Sequence, residues 1–307
     1  MVQVIPILPC IMKSEPFVYH SPVSVEEVVS LMNEHDHAEL VAGNQSLAIQ
    51  MNNRLATPDH LIDLNDVDDL AYLDERDGAI EIGAMTTHNT IAESDVIDRK
   101  LPILSEAARQ IAGPSVRNVG TLGGGIGEAD PAGNYPTVLT ALDATITLTS
   151  ESGDRSVGVD DFFIAYMMTE VGENEMITGA TVPTDPFPIG RTGMSFLELK
   201  RVSHTWPKLS AAGIVRVDDP TASEPTVEEA RLTFANASDT PLRVEAAESA
   251  IEGTSLTDDA LDEAAGIAMD SADPADEMQA EAEYKEEQVG IFTERALREA
   301  YDRALDQ

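Results

Sequence analysis

Two segments of the chain are rich in glycine and small polar residues, the types that bind phosphate groups through the backbone. Residues 121–136 read TLGGGIGEADPAGNYP and residues 42–47 read AGNQSL. Glycine has no Cβ and adopts positive φ easily, so successive N–H groups can converge into a concave anion site. Segment 42–47 lies between a predicted strand and a predicted helix, whose N-terminus also favours an anion. Two such segments on separate lobes suit a pyrophosphate, although each one alone is equally typical of a tight turn.

The glycine pattern of residues 121–136 does not fit the Rossmann dinucleotide-binding fingerprint. That fingerprint, G-x-G-x-x-G, follows a strand and opens a long helix. Here the preceding residues make a poor strand, and the spacing of Gly123, Gly125 and Gly127 does not match. Pro131 and Pro136 then interrupt the helix that would have to follow. The sequence therefore excludes a Rossmann site and leaves a pyrophosphate site of another fold.

The charge of the chain is strongly negative, since 56 Asp and Glu residues against 19 Lys and Arg give a formal net charge of −37. Such self-repulsion opposes compaction at low ionic strength, whereas at ~1 M salt the Debye length falls to about 3 Å. We therefore predict a protein of a salt-loaded cytoplasm, as in halophilic archaea; a moderately acidic mesophilic protein is the alternative. The absence of a basic stripe argues against a nucleic-acid partner.

The single cysteine, Cys10, excludes disulfides within the chain and an iron–sulfur cluster held by four of its own cysteines. No apolar run reaches the roughly 18 residues that predict a membrane span. Residues 1–11 are apolar but contain two prolines and no basic start, so they are not typical of a signal peptide. We expect them to be an N-terminal extension, with Met12 as the natural start.

No metal site and no catalytic residue of the chain's own are predicted. His35 and His37 stand two apart, but no third ligand lies nearby in the sequence, which is typical of a solvated turn. No Ser/His/Asp arrangement can be assigned from spacing alone.

The first part of the chain reads as compact units of helix and strand that would position both glycine-containing segments. Ser24 is the predicted N-cap of a helix, and Glu27 completes a capping box. Three prolines within residues 182–190 predict the domain boundary. Strands are predicted at 39–43, 60–64, 78–87 and 145–150, and helices at 101–112 and 136–144, the last with Pro136 as its first residue.

The second part of the chain reads as a small antiparallel sheet followed by acidic helices, which makes the whole chain α+β. Thr240 is the predicted cap of the first helix, with Pro241 as its first residue. Strands are predicted at 194–201, 210–219 and 228–237, and helices at 240–253, 257–271 and 278–305.

The chain resembles the flavoprotein (medium) subunit of molybdenum-dependent hydroxylases, the family of aerobic carbon monoxide dehydrogenases and xanthine dehydrogenases. Its motifs occur in family order: FVYHSP, ELVAGNQSL, HLIDLN, IEIGAMTTHNTIAES, VGTLGGGIGEADPAGNYPTVLTALDA, FLELKRVSHTWPKLSAAG and AEYKEEQVGIFTERALREAYDRAL. The resemblance covers nearly the whole chain from about residue 16. It implies a two-lobed FAD-binding domain of the vanillyl-alcohol-oxidase (PCMH) type over 12–185, with lobes at about 12–65 and 66–185. A C-terminal flavoprotein domain over 190–307 would follow.

The resemblance also implies that FAD is the cofactor and that both segments bind its pyrophosphate. Thr87 and His88 would lie near the cofactor, and Lys200 would approach its flavin end. Phe196 would lie either near the flavin ring or in the core of its strand. The pyrophosphate segments would be Ala42, Gly43, Asn44, Gln45, Ser46 and Leu47, and Thr121, Leu122, Gly123, Gly124 and Gly125, with Asp130 beside the second.

Two residues depart from the family pattern in these segments. Asn44 replaces the second of a usual pair of glycines, and asparagine tolerates left-handed backbone angles better than other non-glycine residues. Glu128 stands where many relatives have histidine, and its charge would repel a pyrophosphate unless the side chain pointed to solvent. We therefore expect the chain to bind FAD, with an affinity that the sequence does not determine.

The function implied by the resemblance is electron transfer within a complex. Substrate would be oxidised at a molybdenum cofactor on a large partner chain, and a small partner chain would carry two iron–sulfur clusters. The complex would be a cytoplasmic dimer of heterotrimers, and this chain would pass electrons through FAD to an external acceptor. The alternatives are a standalone FAD-dependent oxidase or reductase, and a scaffold relative that has lost FAD.

Overall fold

The computed structural model describes residues 13–306, so the predicted extension at 1–11 and Cys10 lie outside the described residues. The chain begins with a small lobe in which two helices accompany a three-stranded parallel sheet of order β1–β3–β2. The elements of this first lobe are β1 (Val18–His20), α1 (Val25–Glu34), β2 (Ala38–Val41), α2 (Leu47–Asn52) and β3 (His60–Asp63).

Ser24 is the N-cap of helix α1 as predicted, but Glu27 does not complete the capping box, because its carboxylate binds the N–H one residue before the cap. The Ser24 hydroxyl accepts a hydrogen bond from the Glu27 N–H at 3.2 Å, and the Glu27 carboxylate accepts one from the Val23 N–H at 2.9 Å. The Ser24 bond satisfies a donor that a helix start otherwise leaves unpaired. Val28 and Val29 then lie on the buried side of the helix, in one core cluster with β3.

The second lobe is built on a five-stranded antiparallel sheet of order β4–β5–β10–β6–β7. A 3-10 turn at Asp68–Leu70 leads into it, and strands β8 and β9 form a separate hairpin. The elements are β4 (Leu73–Arg76), β5 (Ala79–Gly83), α3 (His88–Ala92), α4 (Asp95–Lys100), α5 (Pro102–Gln110), α6 (Pro114–Arg117), α7 (Leu122–Glu128), α8 (Asn134–Ala141), β6 (Thr145–Ser150), β7 (Gly153–Gly158), α9 (Val159–Phe162), β8 (Phe163–Ala165), β9 (Met168–Thr169) and β10 (Met176–Pro183).

The C-terminal domain is a four-stranded antiparallel sheet of order β11–β12–β13–β14, followed by three helices. At 24 residues α12 is the longest of these helices, but no helix within residues 13–306 combines the length and apolar character of a membrane span. The elements are β11 (Thr192–Leu199), β12 (Leu209–Val217), β13 (Val227–Ala235), β14 (Leu242–Arg243), α10 (Glu245–Ile251), α11 (Asp258–Ser271) and α12 (Ala282–Leu305).

The C-terminal sheet shares a hydrophobic core with the second lobe. Met194, Phe196 and Ile214 are buried in one cluster with Leu104 and Leu139 of the second lobe. Ionic contacts at the same boundary join Asp143 to Arg231 and Arg243. One side of the C-terminal sheet therefore belongs to the core of the second lobe, while the other side forms a separate core with the three helices.

Four predicted helices differ from the observed ones, and one of them is α12, which begins at Ala282 instead of residue 278. The prediction of a helix capped at Thr240 is wrong, because Leu242 and Arg243 instead form strand β14 against β13 and α10 begins at Glu245. The guanidinium of Arg243 binds Asp143 and Glu248, so tertiary contacts outweigh the local helix signal. Helix α5 is shorter than predicted at both ends, and α8 begins at Asn134 instead of Pro136.

Helix α12 lies so close to the C-terminal sheet that glycine is needed on two strands. A Cβ at Gly193 would overlap the carbonyl oxygen of Ala300, and a Cβ at Gly213 would lie 2.9 Å from that of Ala296. On strand β11, the hydroxyl of Ser195, opposite Gly213, donates to the Ala296 carbonyl oxygen at 2.8 Å. Small residues on both elements thus allow backbone-to-backbone packing.

We expect Gly193→Ala to lower the free energy of unfolding by about 3 kcal/mol, because the overlap with Ala300 forces the helix away from the sheet. Denaturant unfolding in molar KCl measures the change. Gly266→Ala is the matched control, since its Cβ would meet nothing within 4 Å in the middle of helix α11. That variant should gain ~0.5–1 kcal/mol from helix propensity. Equal stability of the two variants would contradict the packing argument.

Candidate functional site

The first glycine-containing segment packs directly against the backbone of the two residues that precede the second segment. A Cβ at Gly43 would overlap the carbonyl oxygen of Val119 and lie 2.6 Å from the Cα of Gly120. Asn44, the next residue, has φ of 55°, which is the left-handed conformation that asparagine tolerates better than other non-glycine residues. Segment 42–47 therefore runs from strand β2 into helix α2 while it packs against residues 119–120.

A cavity of about 570 Å³ lies at this contact, between the two lobes. Its walls come from β2, α2 and the second glycine segment, with Met167 and Thr169 of the β8–β9 hairpin on another side. Most of the predicted site residues line it: Ala42, Gly43, Asn44, Gln45, Ser46, Leu47, His88, Thr121, Gly123, Gly124 and Gly125.

The second glycine segment is a helix and not the positive-φ loop that its sequence predicts. Residues 122–128 form α7, and none of its glycines has positive φ. The glycines serve close packing instead: a Cβ at Gly123 would lie 2.7 Å from the Cβ of Ala84, and one at Gly125 would lie 3.0 Å from the Tyr135 ring. The prediction failed because glycine can be required for either of two reasons, a positive φ or the absence of a side chain. In this segment the reason is the absent side chain, which allows close packing.

The first turn of α7 uses most of its own N–H groups. The N–H groups of Leu122 and Gly123 donate to Thr86 and Ala84 carbonyls at 2.9 and 2.8 Å, and that of Gly124 donates to the Thr121 hydroxyl at 3.1 Å. We predicted that successive N–H groups of this segment converge on an anion. That prediction is wrong for Leu122, Gly123 and Gly124, whose N–H groups already bind acceptors within the protein.

Several backbone donors of the cavity wall remain available to a ligand. Within residues 13–306, no acceptor faces the N–H groups of Asn44, Gln45, Ser46 and Thr121. Thr121 is only 3% exposed, and an unpaired N–H at a buried position costs free energy unless a ligand or water accepts it. These donors make this part of the cavity wall chemically suited to an anion.

The side chains of the cavity wall oppose an anion. Glu39, Glu128 and Glu175 line it, and no Lys or Arg of residues 13–306 does. Glu175 is neutralised by Arg155, whose guanidinium donates to both of its carboxylate oxygens at 2.6 and 2.7 Å. Burial raises the pKa of Glu128, and a hydrogen bond from Ser46 works against that rise. Glu128 thus faces the cavity rather than open solvent, as a carboxylate without a cationic partner.

His88 lines the cavity as a neutral, buried imidazole. Its Nδ1 is 3.0 Å from the hydroxyl of Tyr135, and a Cβ at Gly120 would lie 2.5 Å from its Nε2. Burial, together with the nearby charge of Arg117, lowers the pKa of His88 to about 4. His88 is therefore uncharged at neutral pH and contributes a hydrogen-bonding group without positive charge.

Four predicted site residues do not line the cavity. Thr87 caps helix α3, and Leu122 is fully buried in the core of the second lobe. Asp130 accepts a hydrogen bond from the Ala132 N–H at 2.8 Å. Lys200 pairs with Glu198 at 2.6 Å and donates to the Gln110 carbonyl at 2.7 Å, which anchors it between the two domains.

The structure also decides the position of Phe196 and of the predicted histidine pair. Phe196 is 3% exposed in the core shared by the two domains, which is the second of its two predicted positions. The pair His35 and His37 is divided, because His35 lies beside His20 and His60. Sequence reasoning missed this grouping because the three histidines are distant in the chain.

Family models cover both parts of the chain. The model of the FAD binding domain in molybdopterin dehydrogenase matches residues 13–185, and that of the CO dehydrogenase flavoprotein C-terminal domain matches residues 194–300. The chain belongs to this family of FAD-binding molybdopterin dehydrogenase subunits.

Several relatives match this chain over nearly their whole length. The carbon monoxide dehydrogenase medium chain of Hydrogenophaga pseudoflava is 36% identical, over 94% of this chain and 98% of its own. The 6-hydroxypseudooxynicotine dehydrogenase complex subunit alpha of Paenarthrobacter nicotinovorans is 34% identical, over 95% and 97%. A solved chain of carbon monoxide dehydrogenase from Hydrogenophaga pseudoflava superposes with a TM-score of 0.89 at 37% identity, covering 95% of this chain and 99% of that one.

The buried, neutral state of His88 predicts a loss of stability in acid. Its pKa is 6.5 in the unfolded chain and about 4 in the folded one, so the unfolded state binds more protons between these values. Stability is therefore lost as pH falls below about 6.5, by about 2 kcal/mol from this group between pH 7 and pH 5.

The measurement compares the free energy of unfolding at pH 7 and pH 5 for the native chain and His88→Gln. The variant should lose about 2 kcal/mol less on acidification than the native chain does. His204→Gln, at an exposed histidine, is the control and should keep the native pH dependence. The assignment fails if both variants follow the native curve.

Proposed function

We propose that this chain is the FAD-carrying electron-transfer subunit of a heterotrimeric molybdenum hydroxylase. One observation carries the proposal: unpaired backbone donors from both glycine-containing segments line a single cavity between the lobes. The partners would be a large chain with the molybdenum cofactor and a small chain with two iron–sulfur clusters. The assembly would be a dimer of heterotrimers in a salt-loaded cytoplasm.

The donor set fits a pyrophosphate. The N–H groups of Asn44, Gln45, Ser46 and Thr121 offer neutral dipoles, which bind phosphate oxygens without a cationic side chain. Gly124 lines the cavity, and a Cβ there would have few protein neighbours, the nearest being the Thr121 hydroxyl at 3.1 Å. A ligand can thus approach the backbone closely at this point.

Bound FAD supplies the redox chemistry, and the chain supplies orientation and electrostatics. His88 and Tyr135 hold each other at the cavity wall, and Arg155 holds Glu175. These residues keep the wall in one arrangement around a ligand.

The need for partner chains follows from what this chain lacks. With one cysteine it cannot bind a four-cysteine iron–sulfur cluster. Ile164, Tyr166 and Met168, in and beside the β8–β9 hairpin, are each more than half exposed, and clustered apolar side chains on a surface mark protein contacts. Such a hairpin next to the cavity supports a docked partner subunit.

Flavin content tests cofactor binding. The chain purified in molar KCl should release about one FAD on denaturation, and Gly43→Ala should release almost none because its Cβ overlaps residues 119 and 120. Gly158→Ala is the control, since its Cβ would meet nothing within 4 Å, and it should keep its FAD. No FAD in the native chain, even after incubation with excess FAD, would support the flavin-less scaffold instead.

Glu128→Gln should bind FAD more tightly than the native chain, since it removes an unpaired negative charge from the cavity wall. We expect an affinity gain of about fivefold at low salt that shrinks in molar KCl as the charge is screened. Glu283→Gln removes an equal charge from an exposed site at the start of α12 and should change affinity little. A gain in FAD affinity cannot result from damage to the fold. Equal FAD affinities of the native chain, Glu128→Gln and Glu283→Gln would show that Glu128 lies away from the phosphates.

Affinity purification of the tagged chain from its own cells tests the complex. We expect a large chain and a small chain to copurify in equal amounts, with molybdenum and iron detected in the same fraction. Recovery of the chain alone with FAD and with oxidase activity would support the standalone enzyme. Purification in molar KCl keeps the acidic surfaces screened during the experiment.

A further inference from the structure

Three histidines from separate parts of the first lobe meet outside the cavity. His20 ends strand β1, His60 begins strand β3, and His35 follows helix α1 as its C-cap. Strands β1 and β3 are parallel neighbours, which brings His20 and His60 to one side of the sheet. His35 leaves the helix in an extended conformation, with φ of −124° and ψ of 112°, and its ring stacks on that of His60 at 4.0 Å.

The imidazole nitrogens of this histidine cluster (His20, His35 and His60) are close enough for one ion. The Nε2 of His20 is 3.0 Å from the Nδ1 of His60, and one nitrogen of each ring lies within 4.8 Å of the others. Three nitrogens bound tetrahedrally to zinc at ~2.0–2.1 Å are about 3.3 Å apart. Small rotations of the rings therefore convert the observed cluster into a metal-binding one.

The histidine cluster is accessible to an ion from solvent. A neutral ring keeps the lone pair that a metal requires. All three side chains are half-buried, so an ion can reach them from solvent.

We infer that His20, His35 and His60 form a binding site for a divalent transition-metal cation of the zinc class. Imidazole nitrogen is a preferred ligand of this class, and three histidines leave a fourth position for water. The bound ion would join the end of α1 to strands β1 and β3. None of the three histidines lines the cavity, so the metal site is independent of FAD.

The site corrects the prediction from sequence that His35 and His37 lack a third ligand. His35 has two partners from distant positions, while His37 is exposed, has φ of 57° and is not part of the cluster. His37 therefore provides an internal control two residues from a proposed ligand. Asparagine is the replacement for both, because it tolerates the left-handed conformation at position 37.

Zinc titration of the full chain tests the inference. The chain is freed of metal with a chelator, which is then removed, and it is titrated with Zn²⁺ against a chromophoric zinc indicator in molar KCl. We expect one tight site per chain in the native protein and in His37→Asn. Since outer-shell changes alone cost roughly 10–100-fold, the loss of a ligand in His35→Asn should lower the affinity at least ~100-fold.

Thermal unfolding with and without one equivalent of Zn²⁺ gives a second readout. Binding to the folded state alone raises the unfolding temperature, so the native chain and His37→Asn should shift and His35→Asn should not. If His35→Asn and the native chain unfold at the same temperature without metal, the variant is folded. Weak binding that is the same in all three proteins would assign the zinc to surface carboxylates and overturn the inference, as would no binding.

Discussion

The backbone contact between Gly43 and residues 119–120 is the constraint on which the candidate site depends. A single Cβ at Gly43 would overlap the Val119 carbonyl, so the first lobe can close on the second only with glycine at this position. The contact brings the free N–H groups of segment 42–47 beside that of Thr121. It also positions His88, because the backbone N–H of His88 donates to the Gly120 carbonyl at 2.9 Å. One close approach thus organises donors from both lobes around one cavity.

Electrostatics set the second condition on this site. The chain carries a formal net charge of −37, and the cavity wall adds carboxylates without a cationic side chain among the described residues. Attraction for an anionic ligand must therefore come from backbone dipoles, which are short-ranged. High salt weakens the long-range repulsion and leaves these direct hydrogen bonds in place. Glu175 shows how a local ion pair removes one of the unfavourable charges.

The C-terminal domain supports the site from outside. Phe196 is buried in the shared core, and Lys200 joins Glu198 to the Gln110 carbonyl at the end of helix α5. The close packing of α12 at Gly193 and Gly213 stiffens the sheet that carries these residues. Lys200 thus acts in the structure as an interdomain contact, a role that its position in a family motif does not indicate.

Periodicity and capping signals, read from the sequence alone, determined about half of the regular elements. Strand β6 spans Thr145–Ser150 as predicted, and Ser24 caps α1 as its pattern indicates. These signals are local, because hydrogen bonds within a few residues produce them. The order of motifs along the chain was also sufficient to identify the family. The left-handed Asn44 belongs to the same group, since the preference resides in the residue itself.

Only the tertiary structure decided how the remaining residues are used. Glycines 123–125 became a helix because Ala84 and Tyr135 lie against them, and Leu242 and Arg243 became a strand because β13 and Asp143 are their neighbours. His35 acquired two histidine partners through the pairing of β1 with β3, not through its neighbour His37. In each case the deciding contact joins positions far apart in the chain, so no local pattern of residues could contain it.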